Sequence, residues 1–201
     1  MNVVLLADTA WLEEELHSLQ HLIIGLVDER VRVVQLFPED AAAPPSTLTC
    51  QRLTWSESRW PELNRWRLSR MHAAVGRLEP SLIHCLTSRL WRPAVQVAEE
   101  LSLPVILGAV AHAALDRVER AVRGADPNRV AFAAGTEPLA QALRQRVDPA
   151  IVVEHVPIGA HASEEMHGCR GEDSLCAIVS GDGEMDEHYE ALLRGIAQIV
   201  E

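Results

Sequence analysis

The chain opens on a continuous apolar run, Val3-Val4-Leu5-Leu6-Ala7, followed by Trp11, Leu12, Leu16, Leu19, Leu22, Ile23 and Leu26 at intervals suited to one helix face. An unbroken run reads as a buried strand, and the second spacing predicts a helix from Ala10 to Leu26. Val31 to Phe37 predicts a second strand, closed by Pro38, and Ala41-Ala42-Ala43-Pro44-Pro45-Ser46 a loop. Thr47 to Leu53 alternates weakly and predicts a short edge strand. Pro61 opens a helix at a position where its missing N–H costs nothing, with Leu63, Trp66, Leu68, Met71, Val75 and Leu78 on its buried side. Beyond it the pattern predicts a strand at Leu82 to Cys85, a helix from about Arg92 to Leu101 and a strand at Val105 to Leu107. A helix from about Ala113 to Val122 stopped by Gly124 follows, then a strand at Val130 to Ala134. A helix capped by Thr136 runs through Val147, and a strand from Ile151 to Val156 ends the series.

Strands alternating with helices at this interval predict an α/β fold, a Rossmann-like doubly wound parallel sheet with helices on both faces. Residues 1–161 make up this domain. Residues 162–173 carry scattered charges and glycines without periodicity and read as a linker. In 174–201 a strand pattern at Leu175 to Val179 precedes Tyr189, Leu192, Leu193, Ile196 and Ile199 at helical spacing. A lone strand–helix pair cannot bury its own faces, so this segment either packs on the first domain as an extension or begins a second one.

Composition narrows the function classes. The net charge of −11 argues against a nucleic-acid partner, which needs a basic face. The acid is concentrated in residues 162–201, a shift that marks a change of domain or a solvated tail. All 18 basic residues are arginine, which removes every lysine-nucleophile or Schiff-base mechanism. The four cysteines show no C-x-x-C spacing, which fits a reducing compartment. No apolar run approaches the roughly 20 residues of a membrane span, and Met1 leads into the first strand without a basic n-region. A cytoplasmic location is expected.

The crevice beyond the carboxyl ends of the strands is where an open parallel sheet binds its ligands. Asp8, His84, Thr87, Thr136 and Gly159 are the candidate cleft residues. His84 reads either as a polar contact at the cleft mouth or as a half-buried histidine at a strand end. Thr136 reads as an N-cap that could also meet a ligand, and Gly159 as a turn that a side chain would block. His112 begins a helix after a strand and is the candidate catalytic residue, able to bond a ligand hydroxyl or carry a proton. His17 and His21 have metal-site spacing near Glu13 and Glu14, and His161, His167, Cys169 and Cys176 form an irregular cluster. Neither set supplies a regular ligand pattern, and no metal site is expected. Over Trp55 to Arg77, Trp60, Arg65, Trp66 and Arg67 suggest a helix touching the headgroups of the inner membrane face. The other reading is an amphipathic helix with its tryptophans on the sheet and its arginines in solvent.

Four segments carry a family resemblance: Ser81-Leu82-Ile83-His84-Cys85-Leu86-Thr87, Pro104-Val105-Ile106-Leu107, Thr136-Glu137-Pro138-Leu139 and Val156-Pro157-Ile158-Gly159-Ala160-His161. In order and spacing they resemble the N-terminal, acceptor-side domain of a retaining glycosyltransferase of the GT-B fold, family-4 type. The resemblance implies transfer of a glycosyl group from a nucleotide-sugar donor to an acceptor hydroxyl, with no metal and no cofactor held by this chain. It also implies a missing C-terminal domain that binds most of the donor, so the 201-residue chain alone is expected to be inactive. The sequence departs from the family at several points. Leu86 replaces a second histidine, Val110 occupies the place of another with His112 two residues beyond, and the loop from Ala7 to Glu15 lacks the family's glycines. These departures leave two alternatives open: a non-catalytic GT-B-like interaction module, or a small-ligand-binding α/β domain.

Overall fold

The structure, a computed structural model, describes residues 1–14, 16–38, 50–55 and 61–157. Seven strands lie in one sheet: β1 (Asn2–Leu6), β2 (Arg32–Pro38), β3 (Gln51–Trp55), β4 (Leu82–Cys85), β5 (Val105–Ala109), β6 (Val130–Ala134) and β7 (Val152–His155). Their order is β3-β2-β1-β4-β5-β6-β7, and every neighbouring pair is parallel. The connecting helices are α1 (Thr9–Glu14), α2 (Leu16–Asp28), α3 (Pro61–Gly76), α4 (Trp91–Glu100), α5 (Val118–Val122) and α6 (Glu137–Arg144). This is the expected Rossmann-like α/β fold, and all of it belongs to one compact unit, Met1–Gly159.

Strand alternation sorts the core onto two faces. On the first face Val4 and Leu6 stand in register with Val34 and Leu36 on one side and Ile83 and Cys85 on the other. That row continues through Val105, Leu107, Val130 and Phe132, and is buried by Met71 and Val75 of α3 together with α4, α5 and α6. On the second face Val3, Leu5 and Val33 pack with Leu12, Leu19 and Ile23 of α1 and α2. Burying apolar surface contributes about 25 cal/mol per Å², so the first face supplies most of the cohesion. Trp91 is its keystone. The ring is fully buried, meets Phe132 edge-on at 5.2 Å, and donates from Nε1 to the Gly108 carbonyl at 3.2 Å.

Differences from expectation concentrate at element ends. The helix expected from Ala10 to Leu26 is described as α1 and α2. The one expected from Ala113 starts as a 3-10 helix, His112–Arg117, the tighter winding common at helix starts. Strand β3 runs on to Trp55 because Arg52 to Trp55 keep register with Gln35 to Pro38 at the sheet edge. Gly124, at φ 75, ends α5 as its missing Cβ permits. After α2, α3 and α4 the left-handed residues are instead Arg30, Glu79 and Ser102. No described helix is long and apolar enough to cross a membrane. Trp60, the side chains of Arg65, Trp66 and Arg67, the side chain of His17, Gly159 and the segments 162–173 and 174–201 lie outside the described residues.

Candidate functional site

The β1-to-β2 connection runs over the second sheet face, whereas β4 to β5 runs over the first. The loops after β1 and β4 therefore diverge and open a crevice between neighbouring strands, the switch point of a doubly wound sheet. Asp8 follows β1 and is 3% exposed. Its Oδ1 accepts the Trp11 N–H at 2.8 Å, which caps α1. Its Oδ2 accepts the Thr87 hydroxyl at 3.0 Å, across 79 residues of chain.

Backbone bonds hold the β4 loop in place. Leu86 N–H donates to the Leu6 carbonyl at 2.8 Å, and the Thr87 carbonyl accepts from Leu90 N–H at 3.2 Å and from the Cys85 thiol at 3.3 Å. Burial pushes that thiol far up, so it stays protonated.

Above this floor lies an open pocket of about 160 Å³. Asp8, Trp11, Thr87, Ser88 and Arg89 line one side, with Gly108, Val110, Ala111 and Arg117 on the other. A Cβ at Gly108 would come within 3.3 Å of the Cys85 carbonyl and 3.4 Å of Leu86 Cα, so β4 and β5 approach closely because that position is glycine. Arg89 is exposed, with Nε 3.9 Å from Asp8 Oδ2. Arg117 Nη1 donates to Ser88 Oγ at 2.8 Å. The Trp11 indole Nε1 is buried without a hydrogen-bond partner among the described residues.

Asp8 and Thr87, singled out from sequence, thus meet in one pocket. His84 does not line it. It stands on the second sheet face between Leu5 and Ile106, and desolvation lowers its imidazole to about 4, so it is neutral near pH 7. His112 is exposed at the start of the 3-10 helix and is absent from the lining, while Val110 is part of it. Thr136 accepts the Leu139 N–H at 3.4 Å and caps α6 after β6, and it is absent from the pocket lining. Among the described residues no group of three or more histidine, cysteine or acidic side chains is placed to hold a metal ion. Sequence reasoning passed over Trp11, Ser88, Arg89, Gly108 and Arg117. Ser88 and Arg89 sit beside Thr87 on a strand-end loop, a signal that could have found them; nothing local marks Arg117.

No protein-family model matches the chain, and no curated protein sequence matches it. Solved structures do. One is Anabaena Alr3699/HepE in complex with UDP and glucose, at TM-score 0.58 and 11% identity over 80% of this chain and 45% of that one. Another is the lipopolysaccharide outer core galactosyltransferase WaaB in its apo form, at TM-score 0.58 and 10% identity over 78% and 45%. The fold is that of GT-B glycosyltransferases. The UDP-GlcNAc 2-epimerase from Methanocaldococcus jannaschii shares it at TM-score 0.50 and 16% identity over 76% and 45%. The GT-B likeness at such identities concerns the fold alone, and the chain spans less than half the length of each of these structures.

Proposed function

We propose that this chain is the acceptor-side half of a nucleotide-sugar-dependent glycosyltransferase, of the retaining family-4 type, and that the pocket at the ends of β1, β4 and β5 receives the acceptor. The observation that carries this is a buried carboxylate at the switch point of a GT-B fold. Each Asp8 oxygen accepts one protein hydrogen bond and keeps capacity for another. A ligand hydroxyl donating to that carboxylate would be held in a fixed direction, with Thr87 fixing the carboxylate in turn. The role is orientation of the acceptor, which lowers the entropic part of the barrier. His112 lies outside the pocket lining, so proton transfer within the pocket is not assigned to it. The nucleotide-sugar is held mainly by a second domain, as in the family that the sequence motifs resemble.

Calorimetric titration of the 201-residue chain tests this. Polyols and hexoses should bind, and Asp8→Asn together with Thr87→Val should weaken them, while UDP binds poorly and UDP-glucose is not consumed. Release of UDP from UDP-glucose by the chain alone would overturn the half-site reading. A non-catalytic module is the second reading, favoured by Val110 in the pocket wall where the resembling family has histidine. It predicts that no polyol, hexose or nucleotide binds.

A further inference from the structure

The floor of the pocket is anionic and its rim cationic. Arg89 and Arg117 both line it, in a chain whose net charge is −11. Arg117 has a neutral hydroxyl, Ser88 Oγ, as its partner, and the adjacent Asp116 carboxylate lies 3.8 Å from Arg146 instead. Among the described residues Arg117 pairs with no carboxylate, whereas Arg129 and Arg144 pair with Asp126 and Glu137 at 3.4 and 3.0 Å. Arg89 approaches Asp8 only at 3.9 Å and its side chain is 63% exposed, so that contact is weak.

We infer that the pocket takes a small hydroxylated phosphate, its phosphate gripped by Arg89 and Arg117 and its hydroxyl directed to Asp8. The inference rests on the acceptor-side reading and names the acceptor's chemical class. Guanidinium groups match phosphate oxygens with paired N–H bonds, and two of them balance a phosphomonoester dianion. The Asp8 carboxylate repels that dianion and attracts a hydroxyl donor, so the two ends of the ligand are sorted by charge. The phosphate is either the dianionic monoester of a free polyol phosphate or the monoanionic diester of a glycerophospholipid headgroup.

Titration of the full chain with glycerol 3-phosphate, glycerol and inorganic phosphate separates the cases. Glycerol 3-phosphate should bind at least about tenfold more tightly than either of the others. Arg89→Gln and Arg117→Gln should each weaken it about tenfold, a loss of one charged hydrogen bond. Arg120→Gln, on the exposed side of α5, should leave it unchanged. Asp8→Asn should bind inorganic phosphate more tightly than the parent chain. Equal binding of glycerol and glycerol 3-phosphate, or glycerol 3-phosphate binding that survives both arginine variants, overturns the inference and leaves the acceptor-side reading standing. If no polyol, hexose or phosphate binds, and vesicles also fail, both fall. Sedimentation with phosphatidylglycerol vesicles resolves the source. Retention abolished by Arg89→Gln and Arg117→Gln assigns the phosphate to a lipid headgroup. Retention indifferent to those variants places the lipid elsewhere and counts against the pocket.

Discussion

The floor and the rim of the pocket are built from different chemistry. On the floor, Asp8 and Thr87 are buried and bonded, Gly108 permits the close approach of β4 and β5, and Trp91 holds the Gly108 carbonyl from behind. On the rim, Arg89 and Arg117 are exposed and hold at most weak or neutral partners. Floor residues close the fold at its switch point and also present Asp8 to a ligand, while rim residues contribute little to stability and are free to meet one. Substitutions should therefore divide, with floor variants changing folding as well as any binding at Asp8, and rim variants changing binding alone.

The largest effect is expected at Trp91. Trp91→Ala empties a fully buried site and removes the bond to Gly108, and should cost about 4 kcal/mol in urea unfolding. A loss under about 1 kcal/mol would mean the floor is not held from behind. Next comes acidification. The imidazole of His84 sits near 4 when folded and 6.5 when unfolded, so the unfolded chain takes up a proton first as pH falls. Stability from this residue is complete above pH 6.5, is lost progressively towards pH 4, and changes no further below it. The loss is at most about 3 kcal/mol, and His84→Gln should flatten the profile across that window.

Asp8→Ala removes the α1 cap and leaves the Thr87 hydroxyl unbonded, for a cost of about 2 kcal/mol. Asp8→Asn keeps an oxygen for the cap and should cost about half as much. Arg117→Gln should stay within about 0.5 kcal/mol of the parent chain in thermal melts, since its bond to Ser88 is exposed. A larger change would move Arg117 from the rim to the floor.

The same division explains what could be read from the sequence. Strands were legible because Val3 to Ala7 and Val130 to Ala134 are apolar throughout, and Val31 to Phe37 apolar but for Arg32 and Gln35, as a covered sheet requires. Helix ends were not, because Arg30, Glu79 and Ser102 take left-handed conformations that glycine normally signals. Asp8 and Thr87 were legible as strand-end positions. Their mutual bond was not, since it joins loops from strands that are neighbours only once the sheet order is known. His84 shows the limit of reasoning from strand ends: it is one residue inside β4, and alternation along the strand turns it to the sheet face beside Leu5. Arg117 lies within the helix expected from about Ala113 to Val122, but that expectation does not say that its side chain meets the β4 loop at the pocket.

The most direct test is the indole N–H spectrum of the five tryptophans during titration with glycerol 3-phosphate. The Trp11 signal, assigned by its loss in Trp11→Phe, should move in step with binding while the Trp91 signal behind the floor stays fixed. A Trp11 signal that stays still while glycerol 3-phosphate binds would contradict the placement of the ligand in the pocket at the ends of β1, β4 and β5.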